Sequence, residues 1–105
     1  MNEAALIYNV TTHIHNSILN EWLQWMQQTH IPEVMQTGCF AKYQLVRLLD
    51  TDETEGYTYA VQFYAESKAV YNRYIELYAP SLRKAVFDKW GDKTISFRSL
   101  MEIVH

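Results

Sequence analysis

Two β-rich segments, CFAKYQLVRLLD at residues 39–50 and YTYAVQFYAE at residues 57–66, flank a short acidic loop that ends at Gly56. Aromatic and β-branched residues concentrated in runs of this length are typical of strands. Two strands joined by a short polar loop with a glycine form a hairpin. The fold depends on this predicted central hairpin, because the elements before and after it must pack around an antiparallel pair.

The chain before the hairpin is predicted to form one strand and a broken helix. Residues 4–12, AALIYNVTT, are predicted to be a strand, and Asn16 or Ser17 is predicted to cap the helix that follows. Pro32 disfavours helix at the preceding Ile31 and suits the first turn of a new helix over residues 32–36. The helical spacing is carried by a set of apolar residues: Ile18, Leu19, Trp22, Leu23 and Met26.

The chain after the hairpin is predicted to form a second broken helix and a last strand. Ser67 is predicted to cap a second long helix, Pro80 to break or kink it, and Gly91 to end it. Residues 94–104, TISFRSLMEIV, are predicted to be the last strand.

The resulting order β-α-β-β-α-β predicts an α+β, ferredoxin-like fold, with two broken helices on one face of a four-stranded antiparallel sheet. The 105 residues suit a single domain over 1–105. Leu45 and Leu49 are expected to lie on the sheet face away from the helices and to need a cover there. We therefore expect a homodimer with stacked sheets, a dimeric α/β barrel.

Composition and charge limit the binding partners and the cellular compartment that we expect for this protein. The nine Lys and Arg residues are scattered and the net charge is −3, so we expect no nucleic-acid partner. No stretch approaches a membrane span and no signal peptide begins the chain, so we expect no membrane partner. The single Cys39 favours a reducing compartment, and a cytoplasmic location is expected.

Histidine residues are candidates for metal binding and for acid–base catalysis. His13 and His15 share a strand face, but no further ligand is spaced to complete a metal site, so loop polar groups are the simpler interpretation. His30 is a candidate acid–base group, with Glu33 either to orient it or to act as a second acid–base group. The alternative is that both residues only complement helix dipoles.

Other residue types allow a binding and a structural interpretation. Arg47, Arg98 and Glu102 on strands fit an anion anchor or plain salt bridges. Cys39 has no basic neighbour or Cys-x-x-Cys partner and is expected in the core. The aromatic residues fit a pocket or simply the core: Trp22, Trp25, Tyr57, Tyr59, Tyr64, Tyr71, Tyr74 and Tyr78.

Several stretches resemble an uncharacterised bacterial family known only as a domain of unknown function. They are Ile7-Tyr8-Asn9-Val10-Thr11, Trp22-Leu23-Gln24-Trp25-Met26, His30-Ile31-Pro32-Glu33-Val34, Thr37-Gly38-Cys39-Phe40, Val61-Gln62-Phe63 and Tyr78-Ala79-Pro80-Ser81-Leu82. The layout is also similar to the dimeric α+β barrel superfamily, which includes cofactor-independent monooxygenases and haem-degrading enzymes. Several of those proteins carry a His-x-Pro like His30-Ile31-Pro32. The resemblance implies a dimer and a pocket between helices and sheet.

Two classes of function follow. The first is small-molecule binding, with or without cofactor-free catalysis by His30, in a pocket lined by Trp22, Tyr59, Tyr74 and Tyr78. The second is a non-catalytic homodimeric interaction module, whose aromatic residues serve packing alone. No cofactor is expected in either case. The two functions differ in whether the folded protein contains a cavity.

Overall fold

The sheet is four-stranded and antiparallel, and from one edge to the other it consists of the second, third, first and last strands of the chain. The computed structural model describes residues 4–105. Its strands are β1 Leu6–His15, β2 Lys42–Arg47, β3 Gly56–Ala65 and β4 Thr94–Glu102. Its helices are α1 Leu19–Trp25, α2 Ile31–Gln36, α3 Lys68–Leu77 and α4 Ala79–Trp90. The predicted ferredoxin-like order of elements is confirmed.

The strands differ in length from the predictions. β1 continues through His15, because its last residues pair with the beginning of β3 as far as Gly56. β2 is shorter than predicted. Cys39 and Phe40 precede it and lie in the core, and Asp50 beyond it adopts a positive φ of 59° that is typical of a turn.

The first helical region differs from the prediction at both ends. No side chain caps α1; instead the His15 ring accepts a hydrogen bond from the Ser17 N–H at 3.1 Å, which starts a 3₁₀ turn. The chain also remains helical at Ile31. A π turn, Met26–His30, links α1 to α2, and the Ile31 N–H donates to the Met26 carbonyl five residues earlier. The wider turn accommodates Pro32, which lacks an N–H, without breaking the helical path.

The second helical region follows its local signals. The Ser67 hydroxyl accepts a hydrogen bond from the Val70 N–H at 3.2 Å and caps α3. Pro80 is the second residue of α4, where its missing N–H needs no helical partner. Gly91 ends α4 with a φ of 57°, a conformation that favours glycine.

All helices pack on one face of the sheet. Tyr8 of β1 pairs with Phe63 of β3, and both lie in the buried core under the helices. Leu45 is part of this side as well, because it pairs with Val61 and packs against the core. The expectation that Leu45 lies on the other face is therefore wrong. Leu49 is 71% exposed and lies beyond the end of β2.

The opposite side of the sheet, here called the open sheet face, carries the alternate residues of each strand. Its middle is polar, with Asn9, Gln62 and Gln44 in register. Its β4 edge is apolar and solvent-exposed: Ile95, Phe97 and Met101 are 58%, 67% and 36% exposed. Within residues 4–105, no helix is long and apolar enough to cross a membrane.

Candidate functional site

A cavity of about 40 Å³ lies between the helices and the sheet. This helix–sheet cavity is lined by residues of β1, β3, β4 and of the helical segments on both sides of the hairpin. Its aromatic lining consists of Tyr8, Trp22, Phe63 and Tyr74, and its aliphatic lining of Val10, Met26, Val34, Leu82 and Val86. One water molecule needs about 10 to 15 Å³ of such space, so the cavity is large enough for more than one.

His30 is the histidine of the cavity lining, and it is half-buried. It is the last residue of the π turn, and its ring stacks on Trp25 with a centroid distance of 5.0 Å and an interplanar angle of 17°. Burial, and secondarily the charge of Arg98, lower the pKa of His30 to about 4. The imidazole is therefore neutral at pH 7, with one nitrogen that donates a hydrogen bond and one that accepts.

Two tyrosines supply hydroxyl groups to the cavity. Arg83 of α4 donates a hydrogen bond from Nη2 to the Tyr8 hydroxyl at 3.1 Å. Burial raises the pKa of Tyr74 well above its ordinary value, and the neighbouring Tyr8 acts in the same direction. Both phenols face the same space, and Tyr74 stays protonated over the whole physiological range.

Two arginines give the cavity its positive charge. Arg98 of β4 pairs with Val10 of β1, and both residues line the cavity. Arg83 and Arg98 each oppose the rise in the pKa of Tyr74, so both guanidinium groups act on the same phenol. Both arginines are exposed residues, which means that the cavity reaches solvent beside them.

A hydroxyl pair completes the polar lining. The Thr12 and Ser96 hydroxyls lie 2.9 Å apart, on paired positions of β1 and β4. Thr12 is 6% exposed, so this pair brings two hydrogen-bonding oxygens to a largely apolar wall.

Three of the residues predicted from sequence to form the site come together here. Trp22, His30 and Tyr74 line the cavity. Tyr59 does not line it and packs against Trp22, with 5.7 Å between ring centroids. Tyr78 is likewise outside the lining and lies 6.4 Å from Tyr74. The functional roles of all five residues stay predictions.

Of the other sequence candidates, Arg98 lines the cavity, and the following lie outside its lining. His13 Nδ1 is 3.2 Å from the Thr58 hydroxyl. Arg47 forms an exposed ion pair with Glu53 at 2.6 Å. Glu33 and Glu102 are exposed, and Cys39 is buried. Over residues 4–105, no group of three or more His, Cys, Asp or Glu residues is arranged to hold a metal ion.

Sequence reasoning missed Tyr8, Arg83, Thr12 and Ser96 as cavity residues. The alternation of β1 indicates that Tyr8 and Thr12 share a face, but not which face the helices cover. Arg83 follows Leu82 in the apolar stripe of α4, so its place at the edge of the stripe was the available signal.

Solved structures share this fold at low sequence identity. A dimeric ferredoxin-like protein from an uncultured marine organism is 13% identical, with a TM-score of 0.74 and 98% of each chain covered. SnoaB, a cofactor-independent oxygenase from Streptomyces nogalater, is 14% identical, with a TM-score of 0.68, and 97% of this chain and 96% of SnoaB are covered.

A third structure carries a ligand. It is a monooxygenase from Streptomyces coelicolor in complex with nanaomycin D, which is 13% identical with a TM-score of 0.68. The alignment covers 97% of this chain and 89% of the monooxygenase. At these identities the likeness establishes the ferredoxin-like fold alone.

Sequence comparison gives the family. No curated protein is similar enough in sequence to count as a match. Residues 5–104 match the family described as Domain of unknown function (DUF4286), which covers nearly the whole chain. The chain therefore belongs to the DUF4286 family, a ferredoxin-like domain whose function is unknown.

Proposed function

We propose that this protein binds a small molecule in the helix–sheet cavity. The observation that carries the proposal is the convergence of a neutral His30 and the hydroxyls of Tyr8 and Tyr74 on a space with a largely apolar wall. A few oriented polar groups in an apolar, partly enclosed cavity are the usual composition of ligand sites. A core that served packing alone would gain nothing from enclosing these groups.

In this proposal Trp22 and Tyr74 contact the ligand, and His30 orients it. Tyr59 and Tyr78 support the lining aromatic rings through the contacts described above. Because the pKa of His30 is about 4, the ring is neutral at pH 7 and is a weak base. His30 thus serves as a hydrogen-bonding group. No cofactor takes part.

We also propose that the functional form is a homodimer, paired through the open sheet face. Ile95, Phe97 and Met101 support this, because an exposed apolar strand edge is typical of a contact surface. A structurally similar protein is described as a dimeric ferredoxin-like protein. A buried, unpaired Cys39 and scattered basic residues suit a cytoplasmic protein without a nucleic-acid partner.

The alternative is a homodimeric interaction module without a ligand. The same exposed apolar edge of β4 is the observation that favours it. The two functions differ in the cavity, which is occupied by a ligand in the first and has no role in the second.

Native mass spectrometry of the freshly purified protein tests the proposal. We expect a dimer that retains a small molecule, which is released on denaturation. The variant Val86→Phe fills the cavity and should lose this molecule, whereas Val104→Phe, at a position that is 85% exposed, should keep it. A dimer that retains no molecule and binds none from a cell extract would contradict the cavity proposal and favour the interaction module.

A further inference from the structure

The helix–sheet cavity has an unbalanced charge. Among its lining residues are two arginines, Arg83 and Arg98, and no aspartate or glutamate. The ion pairs found over residues 4–105 are Arg47 with Glu53 and Lys84 with Asp88. Within that range neither cavity arginine has a carboxylate partner, in a chain whose net charge is −3.

The groups that face the two guanidinium groups cannot neutralise them. The Tyr8 hydroxyl, which is a phenol and not a carboxylate, accepts a hydrogen bond from Arg83. Tyr74, which is near both arginines, is held protonated by its burial. His30, which is near Arg98, is neutral and keeps a nitrogen free to accept or donate. The site therefore offers two cations and several neutral hydrogen-bonding groups to one space.

Most of the remaining wall is apolar, and the enclosed space is small. Trp22, Met26, Val34 and Phe63 are buried and line the cavity. The volume of about 40 Å³ admits a compact group of a few atoms. A ligand that fits both the apolar wall and the two arginines has a short apolar portion and an anionic group. The apolar portion is directed at these side chains, and the anionic group lies beside the arginines, where the cavity reaches solvent.

We infer that the ligand of the helix–sheet cavity is a small amphiphilic carboxylate, held by Arg83 and Arg98 with its short apolar portion against Trp22 and Phe63. Guanidinium groups match the planar geometry of a carboxylate, and they keep their charge at any physiological pH. This inference rests on the proposed function, because it names the chemical class of the ligand in the same cavity.

Propionate and its neutral isostere propionamide are the probes. The dimer is titrated with each at constant ionic strength, and the amide signals are followed by NMR. We expect propionate to shift the signals of Val10, Trp22 and Phe63 and to bind about tenfold more tightly than propionamide, as charge-assisted hydrogen bonds predict. Acetate, which lacks most of the apolar portion, should bind more weakly than propionate.

Variants assign the charge selectivity to the two arginines. Arg98→Gln and Arg83→Gln should each weaken propionate binding about tenfold and leave propionamide binding nearly unchanged. Arg73→Gln removes the same charge from an exposed position of α3 outside the cavity and should change neither. Amide spectra of each variant verify that the fold is retained.

Two results would overturn the inference in different ways. Equal binding of propionate and propionamide in the cavity would show that the site does not select a carboxylate. It would leave the proposed small-molecule function intact. Absence of cavity shifts with all three probes would also overturn it. The retained molecule in the native mass spectrum then decides the proposed function separately.

Discussion

His30 shows how one position acquires its chemistry from residues that are distant in sequence. The sequence marks it as a candidate because it precedes Pro32 near a helix end. Its low pKa comes from burial and from Arg98, which lies 68 positions later. No local pattern predicts that neighbour, because it depends on which strand residues face the helices. Likewise, the bond between Arg83 and Tyr8 joins residues 75 positions apart.

The pKa of His30 predicts an acid-sensitive fold. The unfolded chain binds a proton at His30 near its ordinary pKa of 6.5, whereas the folded protein does so only near pH 4. Between these values the unfolded state binds more protons, so the free energy of unfolding falls as the pH is lowered through this window. From pH 7 to pH 4.5 we expect His30 to account for a loss of about 2 to 3 kcal/mol.

Urea unfolding of the wild type and of His30→Gln at both pH values measures this contribution. The variant lacks the titrating group, so its stability should fall less between pH 7 and pH 4.5 than that of the wild type. His105→Gln removes an exposed histidine and should retain the full wild-type loss. Equal losses in the wild type and in His30→Gln would show that His30 titrates normally in the folded state.

At the scale of elements, the end of a helix can be predicted from sequence where a single residue within that turn determines it. Ser67, Pro80 and Gly91 act within their own turns, and each does what its residue type predicts. The π turn at Met26–His30 could not be predicted in the same way. Helix propensity around Pro32 indicates a break, but burial of Met26 and Ile31 on one side favours a continuous path with a wider turn.

The cap at Ser67 gives a prediction for α3. Ser67→Ala removes the acceptor of the Val70 N–H and should lower the free energy of unfolding by about 1 kcal/mol. Ser81→Ala is the matched control. It removes an exposed hydroxyl that donates to the Tyr78 carbonyl at 3.2 Å, and it should cost less than half as much. Denaturant midpoints measure both, and equal effects would show that Ser67 does not act as a cap.

At the scale of the whole molecule, the order of elements was predictable and the two faces of the sheet were only partly so. Alternation correctly indicates that apolar residues lie on both faces. It does not say which set the helices cover, and Leu45 was accordingly placed on the wrong face. The apolar surface of the open sheet face is instead carried by β4, through Ile95, Phe97 and Met101.

The proposed dimer is tested by two matched charge substitutions. Phe97 is 67% exposed on the open sheet face, and Phe87 is 70% exposed on α4. Phe97→Asp should convert the dimer to a monomer, because a carboxylate would be buried in the interface without a partner. Phe87→Asp should leave the dimer intact. Sedimentation measures the mass of each, and a dimeric Phe97→Asp protein would place the interface elsewhere.

The titration of the His30 ring by NMR, without and with saturating propionate, tests most directly whether the cavity is a charged ligand site. We predict a pKa near 4 for the free protein, because the ring is buried beside Arg98. Bound propionate should raise this pKa, because a carboxylate offsets the charge of the arginine. An ordinary pKa of about 6.5, unchanged by propionate, would contradict both the enclosure of His30 and the binding of an anion beside it.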